Sequence, residues 1–394
     1  MALFTGLPAS KHRILFFMAM LNFGSTVAMQ GWSMLYNNYV VNCAGLSPAQ
    51  SGLIQGLREV PGLLGVTLIL FLFFMQEHRL AAISVIAAGL GTLLTGMFPS
   101  FGAIICTSML MSFGFHYFEA INNSLAIQHF SLHQTPLVMS RLRSLVACGS
   151  LMISIFVFVS SDTLGFNWLF FVPGIIALLL GVAGLVRPPD AGSRPPEQKK
   201  TIMPQRRYWL FYLLNLLMGG RRIVFSVFAV FLMVEQFGFS VRTVSLLYMF
   251  NYAVNWLFNP LVGRIINRLG ERRLMTIEYL SAFVIFLGYA LTRNEMLLVL
   301  LYVLDSLTMN FSIAVRTFFQ KIAFQADAAP NMAIAQTINH IPAVTIPAIG
   351  GWLWLVLGYR SVFFLGAAIT LISLVLAQFV DREIALKSTE TGRQ

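Results

Sequence analysis

The sequence predicts an all-α membrane protein: twelve transmembrane helices in two pseudo-symmetric six-helix bundles. Three observations predict it. Of the 394 residues, 57% are hydrophobic and 10% charged, with mean hydropathy +0.77, whereas soluble domains carry about 25% charged residues. A surface so poor in charge calls for lipid as its solvent. Apolar runs of about 20 residues, the length that crosses a bilayer, recur with short connections between them. Basic residues gather on alternate connections, as they do on the cytoplasmic side of membrane proteins.

The first six spans are predicted at about 14–38, 49–74, 80–98, 101–126, 139–160 and 166–186. Lys11, His12 and Arg13 precede the first, whose apolar run is too long for a signal-peptide core. That span is expected to stay attached, with the N-terminus inside. The second six are predicted at about 208–234, 241–265, 274–292, 296–320, 331–356 and 360–380. Between the two sets lies RPPDAGSRPPEQKKTIMPQRR, Arg187 to Arg207, rich in proline and charge. Such a composition forms no packed core and reads as a polar linker. The expected organisation is a bundle over 1–187, a cytoplasmic linker over 188–207 and a second bundle over 208–394.

Charge placement agrees. With both termini inside, the cytoplasmic segments hold Lys11, Arg13, Arg79, Arg141, Arg143, the linker cations, the arginines of 264–273, Lys321, Arg382, Lys387 and Arg393. The opposite side holds Arg242, Arg293 and Arg360. The formal net charge of +11 therefore follows from topology, and a nucleic-acid partner is not required. Cys43, Cys106 and Cys148 are too widely spaced to suggest a metal cluster or a disulfide framework.

The halves read as copies. Leu164-Gly165-Phe166-x-x-Leu169-Phe170-Phe171 recurs as Leu357-Gly358-Tyr359-x-x-Val362-Phe363-Phe364, an offset of 193. At that offset Leu21-Asn22 meets Leu214-Asn215, Ser33 meets Ser226, and Arg79 meets Arg272. Between two apolar runs lies NPLVGRIINRLGERR, Asn259 to Arg273. Its Gly263-x-x-x-Asn267-Arg268-x-Gly270-x-Arg272-Arg273 resembles the loop signature Gly-x-x-x-Asp-Arg-x-Gly-Arg-Arg of the major facilitator superfamily. The resemblance covers nearly the whole chain. It implies the family fold, a central cavity lined by helices 1, 4, 7 and 10, and alternating access, with Gly263, Asn267, Arg268, Gly270 and Arg272 at the cytoplasmic gate. Asn267 replaces the family's Asp, and the first-half copy, Met75-Gln76-Glu77-His78-Arg79, is eroded. Without that negative charge a softer cytoplasmic gate is expected, which Asn267→Asp would reverse.

Polar residues inside spans usually face a bundle interior or a wet cavity. Helix 1 aligns Asn22, Thr26, Gln30, Ser33 and Asn37 on one face, and helix 7 aligns Asn215, Gly219, Arg222 and Ser226. Helix 4 offers Ser112, His116, Glu119 and Asn123, and helix 10 offers Asp305, Ser312 and Arg316. Such stripes serve either as a cavity lining or as interhelical hydrogen bonding. Arg222 and Arg58 are candidate anchors for an anionic solute, since a guanidinium keeps its charge and its fork fits a carboxylate or phosphate. Arg221, turned about 100° from Arg222, is expected to pair with a neighbouring helix. Asn22, Gln30, Asn215, Asn123, Tyr248, Asn251, Gln336 and Asn339 complete the candidate substrate contacts.

Glu119, His116, Asp305 and Glu59 are the candidate proton carriers. Burial favours the neutral carboxyl and a nearby arginine favours the charged one, so protonation can follow conformation. Structural pairing, of Asp305 with Arg222 or Glu119 with Arg58, is the competing reading. Nucleotide loops, zinc-protease helices and nucleophile elbows are not found, so the chain reads as no enzyme, with no cofactor and no metal. The expected function is secondary transport of a small anionic organic solute by a monomer in the cytoplasmic membrane, coupled to protons. Proton-antiport efflux of amphipathic compounds, and a non-transporting sensor, are the rivals.

Overall fold

The computed structural model describes residues 11–64, 67–72, 74–130, 134–187, 205–323 and 328–391; among these, the side chains at 259–264, 266 and 267, and at a few other positions, lie outside the description. Most of the linker, the Lys387 side chain and Arg393 therefore also fall outside it. All regular structure among the described residues is helical. Among the described residues, ten helical segments are long and apolar enough to span a bilayer, beginning with His12–Cys43 and ending with Arg360–Leu386.

The first half gives α1 (His12–Asn38), α2 (Pro48–Leu63), α3 (Leu68–Leu72), α4 (Glu77–Thr95), α5 (Phe101–His129), α6 (Gln134–Ser160) and α7 (Phe166–Val186). The second half gives α8 (Trp209–Ile223), α9 (Val230–Glu235), α10 (Val241–Leu269), α11 (Glu271–Leu291), α12 (Glu295–Met309), α13 (Ile313–Ile322), α14 (Ala328–Leu357), α15 (Arg360–Ala377) and α16 (Val380–Thr391). Three expected spans are subdivided. The 49–74 run becomes α2 and α3. The seventh span holds the π-helical turn Val224–Ala229 between α8 and α9. The tenth has a 3₁₀ turn, Asn310–Ser312, between α12 and α13. A π turn, Tyr39–Cys43, also extends α1. The π turns widen their helices locally and the 3₁₀ turn tightens its own; π turns inside helices are frequent at functional sites.

The chain forms two compact units. The first comprises Met1–Leu46, Leu57–Glu197 and Phe239–Tyr252; the second comprises Ser47–Gly56, Gln198–Gly238 and Ala253–Gln394. The start of α2 thus belongs to the second unit, and the start of α10 to the first. In the first unit α4 is the central helix, packing on α5, α7 and α1. Its Ala81, Ala82, Ala88 and Gly89 present little side chain, which lets neighbouring backbones approach. Leu15, Leu21, Tyr117, Phe118 and Leu142 fill the adjoining core. In the second unit α11 packs on α15 and α8 on α14. Phe211 of α8 stacks on Phe319 of α13, with ring centroids 4.0 Å apart. Trp168, Trp209 and Trp352 are exposed among apolar side chains, a surface suited to lipid and its interfaces.

Local geometry repeats at the offset of the sequence copies. Asn22 and Asn215 each donate from Nδ2 to the carbonyl four residues back, Met18 and Phe211, both at 2.7 Å. Gly45 and Gly238, 193 apart, both have positive φ, +60° and +66°. Two residues on, Ser47 and Ser240 start the next helix: the Ser47 Oγ accepts from the amide of Gln50 at 3.3 Å, and the Ser240 Oγ from that of Thr243 at 3.2 Å. The Gln50 Oε1 in turn accepts from the Ser47 amide at 3.0 Å, completing a capping box. The repeated Gly-x-Ser thus turns the chain and then caps a helix.

Candidate functional site

In the second unit, α8 carries two adjacent arginines to different neighbours. Arg221 is buried, 1% exposed. Its Nη1 donates to Glu278 Oε1 of α11 at 2.6 Å, and its Nη2 to Asp305 Oδ1 of α12 at 2.9 Å and to the Thr308 hydroxyl at 2.9 Å. Both carboxyl residues are 0% exposed. Asp305 therefore pairs with Arg221, where the sequence suggested Arg222. The missed residue is Glu278. Its signal was present, since an ionisable group inside the apolar run 274–292 is itself a functional indication.

Arg222, one residue on, is half-buried. Its Nη2 donates to Asn339 Oδ1 of α14 at 3.2 Å, and Asn339 Nδ2 donates to the Asn215 carbonyl at 3.0 Å. Gly219 makes this possible. A Cβ there would lie 2.4 Å from the Asn339 carbonyl oxygen, so only glycine lets α14 come this close. Gln336, on the same helix, is exposed, and His340 is half-buried. On α10, Asn255 donates to the Ser306 hydroxyl at 2.8 Å and accepts from Asn310 at 2.5 Å.

In the first unit, Arg58 and Glu59 pair with each other, Nη2 to Oε1, at 2.5 Å, and both are buried. The guanidinium also lies over the Trp32 ring, 5.3 Å from its centroid, a favourable cation–π placement. Trp32 stacks on Tyr36 at 4.4 Å, and the Ser112 hydroxyl donates to the Arg58 carbonyl. Gln30 Oε1 accepts from the Tyr252 hydroxyl at 2.5 Å. Tyr248 is half-buried beside Tyr252 and Asn251 is buried. Asn22 gives its second N–H to Asn122 Oδ1 at 2.8 Å, so both its donors are engaged. Glu119 and Asn123 are exposed, and His116 is half-buried against Phe115.

The signature loop is set by its backbone. Gly270, before α11, has φ +76° and ψ 167°, a region open essentially to glycine alone. Glu271 Oε2 accepts from Lys321 Nζ at 2.6 Å, and Arg272 donates to Gln378 at 3.2 Å and Asp381 at 3.1 Å. Arg268 is exposed. Gly263 and Asn267 lie in α10 at positions outside the described side chains. The eroded first-half copy keeps the same device: Glu77, opening α4, accepts from Gln128 at 2.8 Å and Ser124 at 3.2 Å near the end of α5. Gln128 and Lys321 stand at the 193 offset. Next to Gln128, burial and then the Lys11 cation hold the His129 pKa below its ordinary value, against an opposing pull from Glu77.

Apolar spans that shelter ion-paired and amide-bridged clusters, with local geometry repeated between the two halves, define a multi-pass membrane protein. The profile of the Major Facilitator Superfamily matches residues 13–341 and 210–393. The chain belongs to that superfamily. Among solved structures, it is similar to the nucleoside transporter NupG in its D323A mutant, with a TM-score of 0.76 at 16% identity, covering 94% of this chain and 99% of that one. A bacterial homolog of the human lysosomal transporter Spinster gives 0.76 at 13% identity, covering 97% and 99%. A POT family transporter in complex with 5-aminolevulinic acid gives 0.77 at 14%, covering 96% and 98%. These likenesses show the fold. No curated protein matches the sequence.

Proposed function

We propose that this protein is a proton-coupled secondary transporter of a small anionic organic solute, working by alternating access as a monomer in the cytoplasmic membrane with both termini inside. The observation that carries the anionic solute is Arg222. Its positively charged guanidinium sits half-buried within a span, held by the Asn339 amide. A guanidinium does not shed that charge, and its fork suits a carboxylate or phosphate. Asn339 and Asn215 hold it in register. Arg58 is the weaker anchor, because Glu59 already neutralises it. Glu59, Asp305, Glu119 and His116 supply titratable groups within spans, and the nucleotide motifs of a primary pump are not found in the sequence.

The test is uptake of labelled mono- and dicarboxylates into proteoliposomes, with and without an imposed pH gradient. Accumulation that needs the gradient and falls at least tenfold in Arg222→Ala supports the proposal. Transport of neutral or cationic amphiphiles only, or carboxylate uptake unchanged in Arg222→Ala, overturns it.

A further inference from the structure

We infer that Arg221, Glu278 and Asp305 form a proton-binding site, in which the two carboxyl groups share one proton, and that this is the coupling site of the carrier proposed above. The inference rests on that proposal for its role, and on three observations for its existence.

The first is charge. Two carboxyl groups contact one guanidinium, at 2.6 and 2.9 Å, so full ionisation leaves one negative charge in excess. The second is burial. The side chains are 1%, 0% and 0% exposed, so water does not offset that excess, and a buried uncompensated charge is costly. The third is hydrogen bonding. Arg221 serves one oxygen of each carboxyl group, while Glu278 Oε2, Asp305 Oδ2 and Arg221 Nε are buried with no partner. The Thr308 hydroxyl accepts from Arg221 and donates to the Asp305 carbonyl, so it has no proton to give the carboxyl groups. One added proton removes the excess charge and makes one bare oxygen a hydroxyl. Two carboxyl groups held on one buried guanidinium are coupled and titrate as a pair rather than as separate sites.

Among the described residues, the other titratable groups in electrostatic reach are Tyr279, near Glu278 and Arg221, and Tyr289, near Asp305. Their hydroxyls are also buried without a partner, but each carries its own proton and cannot neutralise a carboxylate while keeping it. The three charged residues come from α8, α11 and α12, so a shift of any one helix changes how many carboxyl groups the guanidinium serves. A helix movement that withdraws Arg221 strengthens proton binding, and one that tightens both contacts releases the proton. Arg221 is the neighbour of the proposed anion anchor Arg222 on the same helix, which gives solute binding a direct mechanical route to the proton.

The experiment uses the purified full-length protein in detergent, without solute, and reads the infrared band of protonated carboxyl groups, identified by its shift in heavy water. One such band is expected at neutral pH. Glu278→Gln and Asp305→Asn each leave one carboxyl group facing one guanidinium, which then ionises, so each single variant loses the band. Arg221→Met leaves two buried carboxyl groups with no cation, and the band grows about twofold. If Arg221→Met does not fold, the two single variants decide. A wild-type protein with no band, or a band that survives in both single variants, overturns the site. The role is read in proteoliposomes: pH-driven accumulation lost in both variants supports coupling, and accumulation unchanged in both overturns it. Absence of uptake by the wild type would refute the proposed function alone, because the infrared result stands without any solute.

Discussion

Arg221 and Arg222 are joined by one peptide bond and serve opposite duties: Arg221 donates to Glu278 at 2.6 Å in a fully buried seam, and Arg222 donates to Asn339 at 3.2 Å from a half-buried position. The turn of about 100° between successive helical residues sends them to different helices. One guanidinium is committed to structure and charge balance. The other is held by a side-chain amide of α14.

Removing Arg221 strands two carboxyl groups in a dry seam. Breaking a buried pair in this way costs about 3–5 kcal/mol. Arg221→Met is expected to lower the unfolding temperature in detergent strongly, and Glu278→Gln, which leaves a balanced pair with Asp305, much less. Equal losses in the two variants would show that charge balance does not govern this cluster.

Gly270 holds a backbone conformation that a side chain resists, at an expected penalty of about 1–3 kcal/mol for alanine. Gly102, with open space around its Cβ position, is the comparison. Gly270→Ala should lower thermal stability while Gly102→Ala does not. A Gly270→Ala protein as stable as the wild type would mean that the loop relaxes freely.

Gly219 sets the approach of α14 to α8. An alanine Cβ there must push back the Asn339 carbonyl, and overpacking of this kind costs about 1–3 kcal/mol. Gly219→Ala should reduce stability and also weaken stabilisation by carboxylate solutes in a thermal-shift screen. Solute stabilisation identical to the wild type would separate this contact from the anchor.

Asn22 and Asn122 join α1 to α5 through a buried 2.8 Å bond. Interhelical hydrogen bonds in membranes average about 0.6 kcal/mol by double-mutant cycles. A cycle of Asn22→Ala and Asn122→Ala should give a coupling of that order. A coupling near zero would show that the amides contribute nothing to the seam.

Much of the fold was legible in the sequence because lipid imposes a simple rule: backbone polar groups must be satisfied within each span, so an apolar run of sufficient length is a helix. The copies were legible too, and one more was available: Gly45-Leu-Ser47 and Gly238-Phe-Ser240 carry the turn and cap that begin α2 and α10. The eroded Met75–Arg79 stretch hid a surviving function, because Glu77 keeps the acceptor role of Glu271 with Gln128 in place of Lys321. What the stripes suggested about individual polar residues was less determinate. Asn22 has both donors engaged, and Glu278 lies in an apolar helix with no polar stripe around it to mark it.

By itself, then, the chain settled composition, span positions, the repeated plan and the list of charges that membrane burial makes expensive. Which charge answers which was left to the tertiary structure. Helical spacing fixes the direction in which a side chain leaves its own axis, but the partner it meets depends on the rotation and depth of another helix. Those are set by close contacts such as Gly219 against Asn339, far apart in the chain and brought together only by packing.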